Sequence, residues 1–256
     1  FNFILPTLFA CMAVAAFSVG WNILDGIRAA RAGTRSNTFD DRFIGGVSAA
    51  SAMVLLGNLG IVRLMYQGFQ RVAAPGGLAE DANLLQRLWW SLKGFFMVLL
   101  GGLHLPYGPG DWYWFASRIF PAAYSDFYEF PVFTFIWSDL HAHMMALMLT
   151  VLVIAWALSV LLAKGSWDTP LNAVIGFFLG GLIIGSLKPT NTWDFYTYFI
   201  LGAVVLFYSV FRYSNPEKLH LPIPGWGKRL LLAGGATIIL AVISTVLYQP
   251  FSHWFG

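Results

Sequence analysis

The chain has 256 residues, of which 58% are hydrophobic, 17% aromatic and only 11% charged. A soluble domain carries about a quarter charged residues, so this composition excludes a soluble enzyme and a nucleic-acid-binding module. A disulfide scaffold is excluded because Cys11 is the single cysteine. The sequence therefore predicts an integral membrane protein, whose net charge of +3 is expected in basic loops at the membrane surface.

Apolar stretches close to the roughly 20 residues needed to cross a bilayer recur six times. They predict an all-α polytopic bundle with transmembrane helices over residues 3–27, 43–69, 140–163, 171–187, 193–211 and 230–248. A shorter apolar stretch, residues 88–103, contains Lys93 and Gly94 and runs into the helix-breaking string HLPYGPG. It is predicted to be a short re-entrant or interfacial helix within a long outer loop over residues 70–138.

Residues 1–256 are expected to form one transmembrane domain. The sequence starts at Phe1 inside an apolar stretch and ends soon after another. This domain is therefore expected to be an interior part of a longer chain.

Charged residues differ between the two sides of the six-helix arrangement. One side carries nine basic and five acidic residues, and the other carries six basic and seven acidic residues. By the positive-inside rule the first side is cytoplasmic. The string GFFLGGLIIG adds two small-residue pairs, Gly176 with Gly180 and Gly181 with Gly185, which predict close helix packing.

The motif DLHAH is the first candidate for chemistry, because ionisable groups at a membrane edge are expected to be functional. On a helix, Asp139 and His143 would share a face and His141 would not, whereas in an extended segment all three would point to one side. All three are candidate catalytic residues, and Asp139 with His143 is a candidate pair for a divalent metal ion. The alternative is that Ser138 or Asp139 only caps the third transmembrane helix.

The motif KPTNTWDFYTY is the second candidate. Pro189 is expected to end the fourth helix, and Asn191 or Thr192 to cap the fifth. Asp194 falls in the first turn of the fifth helix, where an acidic side chain is favourable. The alternative to a functional role is therefore again that these residues only cap the helix. The candidates of this motif are Lys188, Asn191 and Trp193 for substrate binding and Asp194 for catalysis.

The third motif is DWYWFASRIFPAAYSDFYEFPVF. Its Trp and Phe residues are typical of an aromatic belt at a membrane interface. Arg118 is a candidate for substrate binding and Glu129 for catalysis, unless the two form a salt bridge that only fixes the loop.

Together the three motifs predict one outward-facing polar site. Two helix N-termini, with their free N–H groups and partial positive charge, would open toward Arg118 and Lys188, which favours binding of a phosphate. Carboxylates and imidazoles beside it could bind a metal ion or transfer protons. Aromatic walls at the level of the membrane suit a lipid-borne ligand.

Three strings in this order, DWYWFASRIFP, EFPVFTFIWSDLHAHMMAL and PTNTWDFYTYFIL, resemble the Chlor/Arch YYY membrane family over essentially the whole chain. That family is a domain of unknown function grouped with the GT-C-type polytopic glycosyltransferases. The resemblance implies a GT-C-like fold and a polyprenyl-phosphate-linked sugar as donor on the extracytoplasmic side of the cell membrane. The motif positions that it marks are Arg118, Glu129, Asp139, His141, His143, Asn191, Trp193 and Asp194.

Three functions follow as hypotheses. The first is a lipid-linked-sugar glycosyltransferase, in which Asp139 or Glu129 is the base or a metal ligand. The second is a non-catalytic subunit of a membrane complex, and the third, less favoured, is a proton or metal-ion transporter. The expected partners are membrane lipid, the polyprenyl-phosphate donor and other membrane subunits, with no nucleic acid.

Overall fold

A computed structural model describes residues 3–32, 39–56, 59–77, 82–117, 130–137, 140–164 and 169–255. These residues are mostly helical and contain no strand. The chain divides into two compact units, of which unit 1 comprises Phe1–Ser51 with Leu140–Gly256 and unit 2 comprises Ala52–Asp139.

The helices of the described residues are numbered in chain order. They are α1 Ile4–Ala32, α2 Phe39–Ser51, α3 Leu59–Ala73, α4 Leu84–Leu99, α5 Asp111–Ser117, α6 Pro131–Trp137, α7 Ala142–Ala163, α8 Pro170–Thr190, α9 Thr192–Tyr213, α10 Gly225–Val246 and α11 Gln249–Phe255.

The predicted all-α polytopic membrane bundle is confirmed. Within the described part of the chain, α1, α7, α8, α9 and α10 are each long and apolar enough to cross a membrane. A sixth span exists if Asp41–Leu55 and Leu59–Ala73 count as one broken span. The predicted helix over 43–69 is wrong as a continuous helix, because α2 ends at Ser51, a π-helical turn covers Ala52–Leu56 and α3 begins at Leu59.

Trp156 of α7 lies at the centre of unit 1. Its indole Nε1 donates a buried hydrogen bond of 2.9 Å to the carbonyl oxygen of Gly176 in α8. A β-carbon on Gly180 would collide with the ring, and one on Gly202 of α9 would lie 3.2 Å from it. The ring therefore requires glycine at position 180, whereas a β-carbon at Gly202 would collide first with Ile184 of α8.

The other predicted glycine pair packs α8 against α10. β-carbons on Gly181 and Gly185 would collide with Ile243 and with Tyr248. The Tyr248 hydroxyl donates a hydrogen bond of 2.9 Å to the carbonyl oxygen of Leu182. Gly180, Gly181 and Gly185 are thus confirmed as sites where a small residue allows close packing, whereas Gly176 of the first predicted pair contributes its carbonyl oxygen.

The contacts in unit 1 also give the helix directions. Trp156 lies against Gly202, and the Ser209 hydroxyl donates to the Val160 carbonyl oxygen over 3.1 Å, so α7 and α9 run in parallel. Gly181 and Gly185 meet successive turns of α10, so α8 and α10 run in parallel, and α8 is antiparallel to its neighbours α7 and α9 in sequence.

Unit 1 therefore has two chemically different ends. The N-termini of α7 and α9 and the C-termini of α8 and α10 share one end, here called the polar end, with His141, His143, Lys188, Asn191 and Asp194. The opposite end, here called the basic end, carries Lys164, Arg212, Lys228 and Arg229.

Helices α1 and α2 form a hairpin that packs on α7 at the basic end. Gly26 of α1 meets the side chain of Leu162 in the last turn of α7. A β-carbon on Gly20 would collide with the carbonyl oxygen of Gly45 in α2. Further along the hairpin, Arg42 and Asp25 form an ion pair of 3.0 Å whose side chains are only 17% and 14% exposed.

Unit 2 is built on a second hairpin, α3 with α4. Gly94 allows the backbone of α4 to approach Phe69, and Gln70 donates a hydrogen bond of 3.1 Å to Ser91. The predicted short helix over 88–103 corresponds to α4, which begins four residues earlier behind an Asn83 capping box. Two further short helices, α5 and α6, contribute Ala116 and Phe133 to the core of this unit.

The substitution Gly20→Ala is expected to destabilise the α1–α2 hairpin by about 1–3 kcal/mol, because backbone atoms of α2 cannot move aside as a side chain can. Gly234→Ala in α10 is the matched control, since a β-carbon there meets no atom within 4 Å and alanine is the better helix former. Thermal unfolding in detergent measures both. Equal melting temperatures for the two variants would contradict the close approach of α1 and α2.

Candidate functional site

The polar end of unit 1 holds six of the nine predicted site residues. His141 and His143 stand at the start of α7, Lys188 in the last turn of α8, and Asn191, Trp193 and Asp194 at the start of α9. The other three, Arg118, Glu129 and Asp139, lie outside the described residues, and their placement in the site stays a prediction.

Helix α7 begins late in the DLHAH motif. His141 is its N-cap residue, with extended backbone angles of φ −69° and ψ 151°, and its side chain makes no capping hydrogen bond. The N-cap position is therefore neither Ser138 nor Asp139, which corrects the capping alternative. The first turn of α7 contains no acidic residue, so the positive end of its dipole is not balanced from within the helix.

The two histidines lie side by side at this helix start. Their ring centroids are 5.3 Å apart and the rings are inclined by 23°. His143 is exposed and His141 is partly buried.

No group of three or more His, Cys, Asp or Glu side chains in the described ranges is arranged to hold a metal ion. Two histidines alone provide fewer ligands than the three that catalytic zinc sites use. The predicted pair of Asp139 and His143 includes a residue outside those ranges. The divalent metal ion therefore stays a prediction.

Asn191 is the single residue between α8 and α9. It is the N-cap of α9, as predicted, but its side chain does not cap the helix and instead donates a hydrogen bond of 2.9 Å to Oδ2 of Asp194. The prediction that Pro189 ends α8 is wrong. Pro189 lies inside the last turn of α8, and the helix continues to Thr190. The Thr190 hydroxyl stabilises that turn by donating to the carbonyl oxygen of Ser186 over 2.8 Å.

Asp194 lies in the first turn of α9, as predicted, and is partly buried. Its carboxylate balances the positive end of the α9 dipole, and the Asn191 amide fixes one of its two oxygens. The second oxygen accepts no hydrogen bond from any side chain or backbone group among the described residues. This oxygen is available as a hydrogen-bond or proton acceptor.

Lys188 and Trp193 lie on either side of Asn191. The Lys188 side chain is partly buried and forms no ion pair with a carboxylate in the part of the chain that the structure describes. A cation held in this way at a helix terminus has its charge available for an anion. The Trp193 side chain is 83% exposed, which suits contact with lipid or a lipid-borne ligand.

Sequence reasoning missed a structural residue of unit 2, Tyr107, which joins the string HLPYGPG to helix α3. Its hydroxyl donates a hydrogen bond of 3.1 Å to the Leu64 carbonyl oxygen, and the Arg71 guanidinium lies 5.8 Å from its ring centre. Burial raises the pKa of the Tyr107 phenol. The positive charge of Arg71 opposes this increase, and the Asp111 carboxylate adds to it. A lone tyrosine between glycine and proline residues gives no periodic signal, so only the fold identifies it.

Asp111 itself has a local structural role. It begins α5, and its Oδ2 accepts a hydrogen bond of 2.7 Å from the Gly108 backbone N–H. That contact closes the turn before the helix. Asp111 is therefore accounted for without a ligand.

In a membrane, residues at the polar end and the basic end must face opposite sides. After Cys11→Ala removes the native thiol, a cysteine introduced at Trp193 and one introduced at Trp226 are expected to react with an impermeant maleimide from opposite sides. Both positions are well exposed, at 83% and 67%. Labelling of both from the same side of intact, oriented vesicles would contradict the helix directions.

The family model described as an uncharacterized membrane protein, DUF2298, matches residues 1–256. Neither the comparison with curated proteins nor the comparison with solved structures finds a match.

Proposed function

The chain belongs to DUF2298, a family of uncharacterized membrane proteins, and we propose that it transfers a sugar from a polyprenyl-phosphate carrier at the extracytoplasmic face. The family description names no activity. The proposal rests on the chemistry of the polar end and agrees with the resemblance to GT-C enzymes noted from the motifs.

One observation carries the proposal. The parallel helices α7 and α9 both begin at the polar end, and neither N-cap side chain makes a capping hydrogen bond. Among the described residues, the first-turn backbone N–H groups that lack a cap can donate to an anion, except that of Asp194, which donates to the Asn191 carbonyl oxygen over 3.1 Å. Lys188 adds a full positive charge without an ion pair among the described residues. A phosphate group fits this set of donors.

The expected depth of the polar end in the membrane explains why the donor would be carried on a lipid. Helices α7, α8 and α9 are each long and apolar enough to cross a membrane, so the polar end is expected at the membrane surface. A polyprenyl phosphate carries its charge at this depth and keeps its chain in hydrocarbon. The exposed Trp193 indole offers an apolar surface with one hydrogen-bond donor at the same level.

The transfer step needs a base and a stabilised leaving group. The bond between the sugar C1 and the phosphate oxygen breaks, and a bond forms between C1 and the acceptor oxygen. The acceptor proton passes to a carboxylate, for which Asp139, Glu129 and Asp194 are the candidates. Negative charge grows on the departing phosphate, where Lys188 and the helix N–H groups stabilise it. Arg118, which lies outside the described residues, is the further cation predicted from sequence.

Charge at the polar end is expected to matter for turnover, whereas charge at the basic end is not. Lys188→Gln, Arg118→Gln and Asp139→Asn should each lower turnover of lipid-linked sugar by roughly a hundredfold, which corresponds to about 2–4 kcal/mol of transition-state stabilisation. Lys228→Gln removes an equal charge from the basic end and should leave turnover unchanged. The assay uses the full chain in membranes at equal expression.

Two results would overturn this proposal. Equal loss in Lys188→Gln and Lys228→Gln would show that the polar end has no special role. Absence of turnover in the wild-type protein with any lipid-linked sugar would favour the non-catalytic subunit.

A further inference from the structure

A long apolar groove runs between α8 and α10 in unit 1, from the basic end toward the C-terminus of α10. It consists of two adjoining cavities of about 410 and 530 Å³ that share Ala173, Phe177 and Ile239 as lining residues. Volumes of this size are in the range of ligand-binding cavities, about 300–1,000 Å³. This groove is called the α8–α10 groove below.

The α8–α10 groove is long enough for a lipid chain. Its lining extends along α10 from Leu231 to Leu247, a rise of about 24 Å at roughly 1.5 Å per residue. One leaflet of the hydrocarbon core measures about half of 30 Å. A single acyl chain can therefore lie along the groove from the basic end inward.

Polar groups are found at only one end of the groove. Ser209, Ser214 and Asn215 line it where α9 ends, and the rest of its lining is almost entirely apolar. The Ser214 hydroxyl oxygen is buried and has no hydrogen-bond partner in the described structure. A buried hydroxyl of this kind requires an acceptor, and an ester or phosphate oxygen of a lipid provides one.

The charge at this end is positive. Residues 212–232 contain four basic residues, Arg212, Lys218, Lys228 and Arg229, and a single acidic one, Glu217. Lys228 and Arg229 are partly buried in the first turns of α10, directly before the lining residues Leu231 and Leu232. Such a basic cluster at a membrane surface attracts anionic lipid head groups.

We propose that the α8–α10 groove is a binding site for one anionic phospholipid. One acyl chain occupies the groove between Phe177 and Ile239. The phosphate lies at the basic end, near Lys228 and Arg229, and an ester or phosphate oxygen accepts the Ser214 hydroxyl. This site is separate from the phosphate site proposed at the polar end and lies at the opposite membrane surface.

Two adjacent glycines in α10 make a matched test. A β-carbon on Gly234 or on Gly235 meets no atom within 4 Å, but only Gly235 lines the groove. Leucine at either position is a better helix former than glycine, so both variants are expected to fold. Gly235→Leu fills the groove, and Gly234→Leu leaves it open.

The experiment uses the full chain reconstituted in vesicles of equal phosphatidylcholine and phosphatidylglycerol, followed by mild extraction and native mass spectrometry. Wild type and Gly234→Leu should retain phosphatidylglycerol in preference to phosphatidylcholine. Gly235→Leu should lower its retention about tenfold, since excluding two methylene groups is enough for that change. The double variant Lys228→Gln with Arg229→Gln should lose the preference for phosphatidylglycerol.

Several outcomes would overturn the proposal. Unchanged retention in Gly235→Leu would place the bound lipid elsewhere, and equal loss in Gly234→Leu would show that the effect does not depend on the groove. Equal retention of both lipids by the wild type would show that the basic cluster does not select an anionic head group. No retained lipid would mean that the groove is closed by protein in the full chain.

Discussion

The packing of one indole ring determines how unit 1 is arranged. Trp156 is nearly fully buried, and its ring requires glycine at position 180 of α8 and lies close to Gly202 of α9. Lipid supplies no hydrophobic drive between helices, so close packing and buried hydrogen bonds have to hold them together. The indole provides both, since it fills the space between three helices and donates to the Gly176 carbonyl oxygen.

This packing has a chemical consequence at the ends of the helices. Because α7 and α9 are parallel, their positive dipole ends both lie at the polar end, together with the negative dipole ends of α8 and α10. The single-residue connection at Asn191 brings the end of α8, with Lys188, to the same level. The first turn of α7 contains no acidic residue, and the only carboxylate in the first turn of α9 is Asp194. An anion at this end would therefore be bound by local donors, namely the first turn of α7 and the Lys188 ammonium, and not by a net positive charge.

Much of this arrangement could be predicted from sequence. Helices α7 to α10 begin and end within a few residues of the predicted spans, except that α10 begins five residues earlier, and Gly180, Gly181 and Gly185 make the expected contacts. These features depend on local composition and spacing, which a sequence displays directly. The described polar residues at the third and fifth predicted spans, His141, His143 and Asp194, were also correctly assigned to helix starts.

Other features depend on the fold and could not be predicted. Residues 51–59 are largely apolar throughout, so hydropathy gives no sign that α2 ends and α3 begins within them. Proline usually ends a helix, yet α8 continues past Pro189. The hydroxyls of Thr190 and Thr192 donate hydrogen bonds to backbone carbonyl oxygens of that last turn. The hydrogen bond between Trp156 and Gly176 joins residues that are 20 positions apart in the sequence, and no local pattern indicates it.

The central claim is that the polar end of unit 1 binds the phosphate of a lipid carrier. A cryo-electron microscopy map of the full chain in lipid nanodiscs, with polyprenyl phosphate added, tests it most directly. The account predicts phosphate density in contact with the first turns of α7 and α9 and with the Lys188 ammonium, continuing into a chain that lies in the membrane. Side chains of a neighbouring subunit filling that end, with no lipid density, would contradict it.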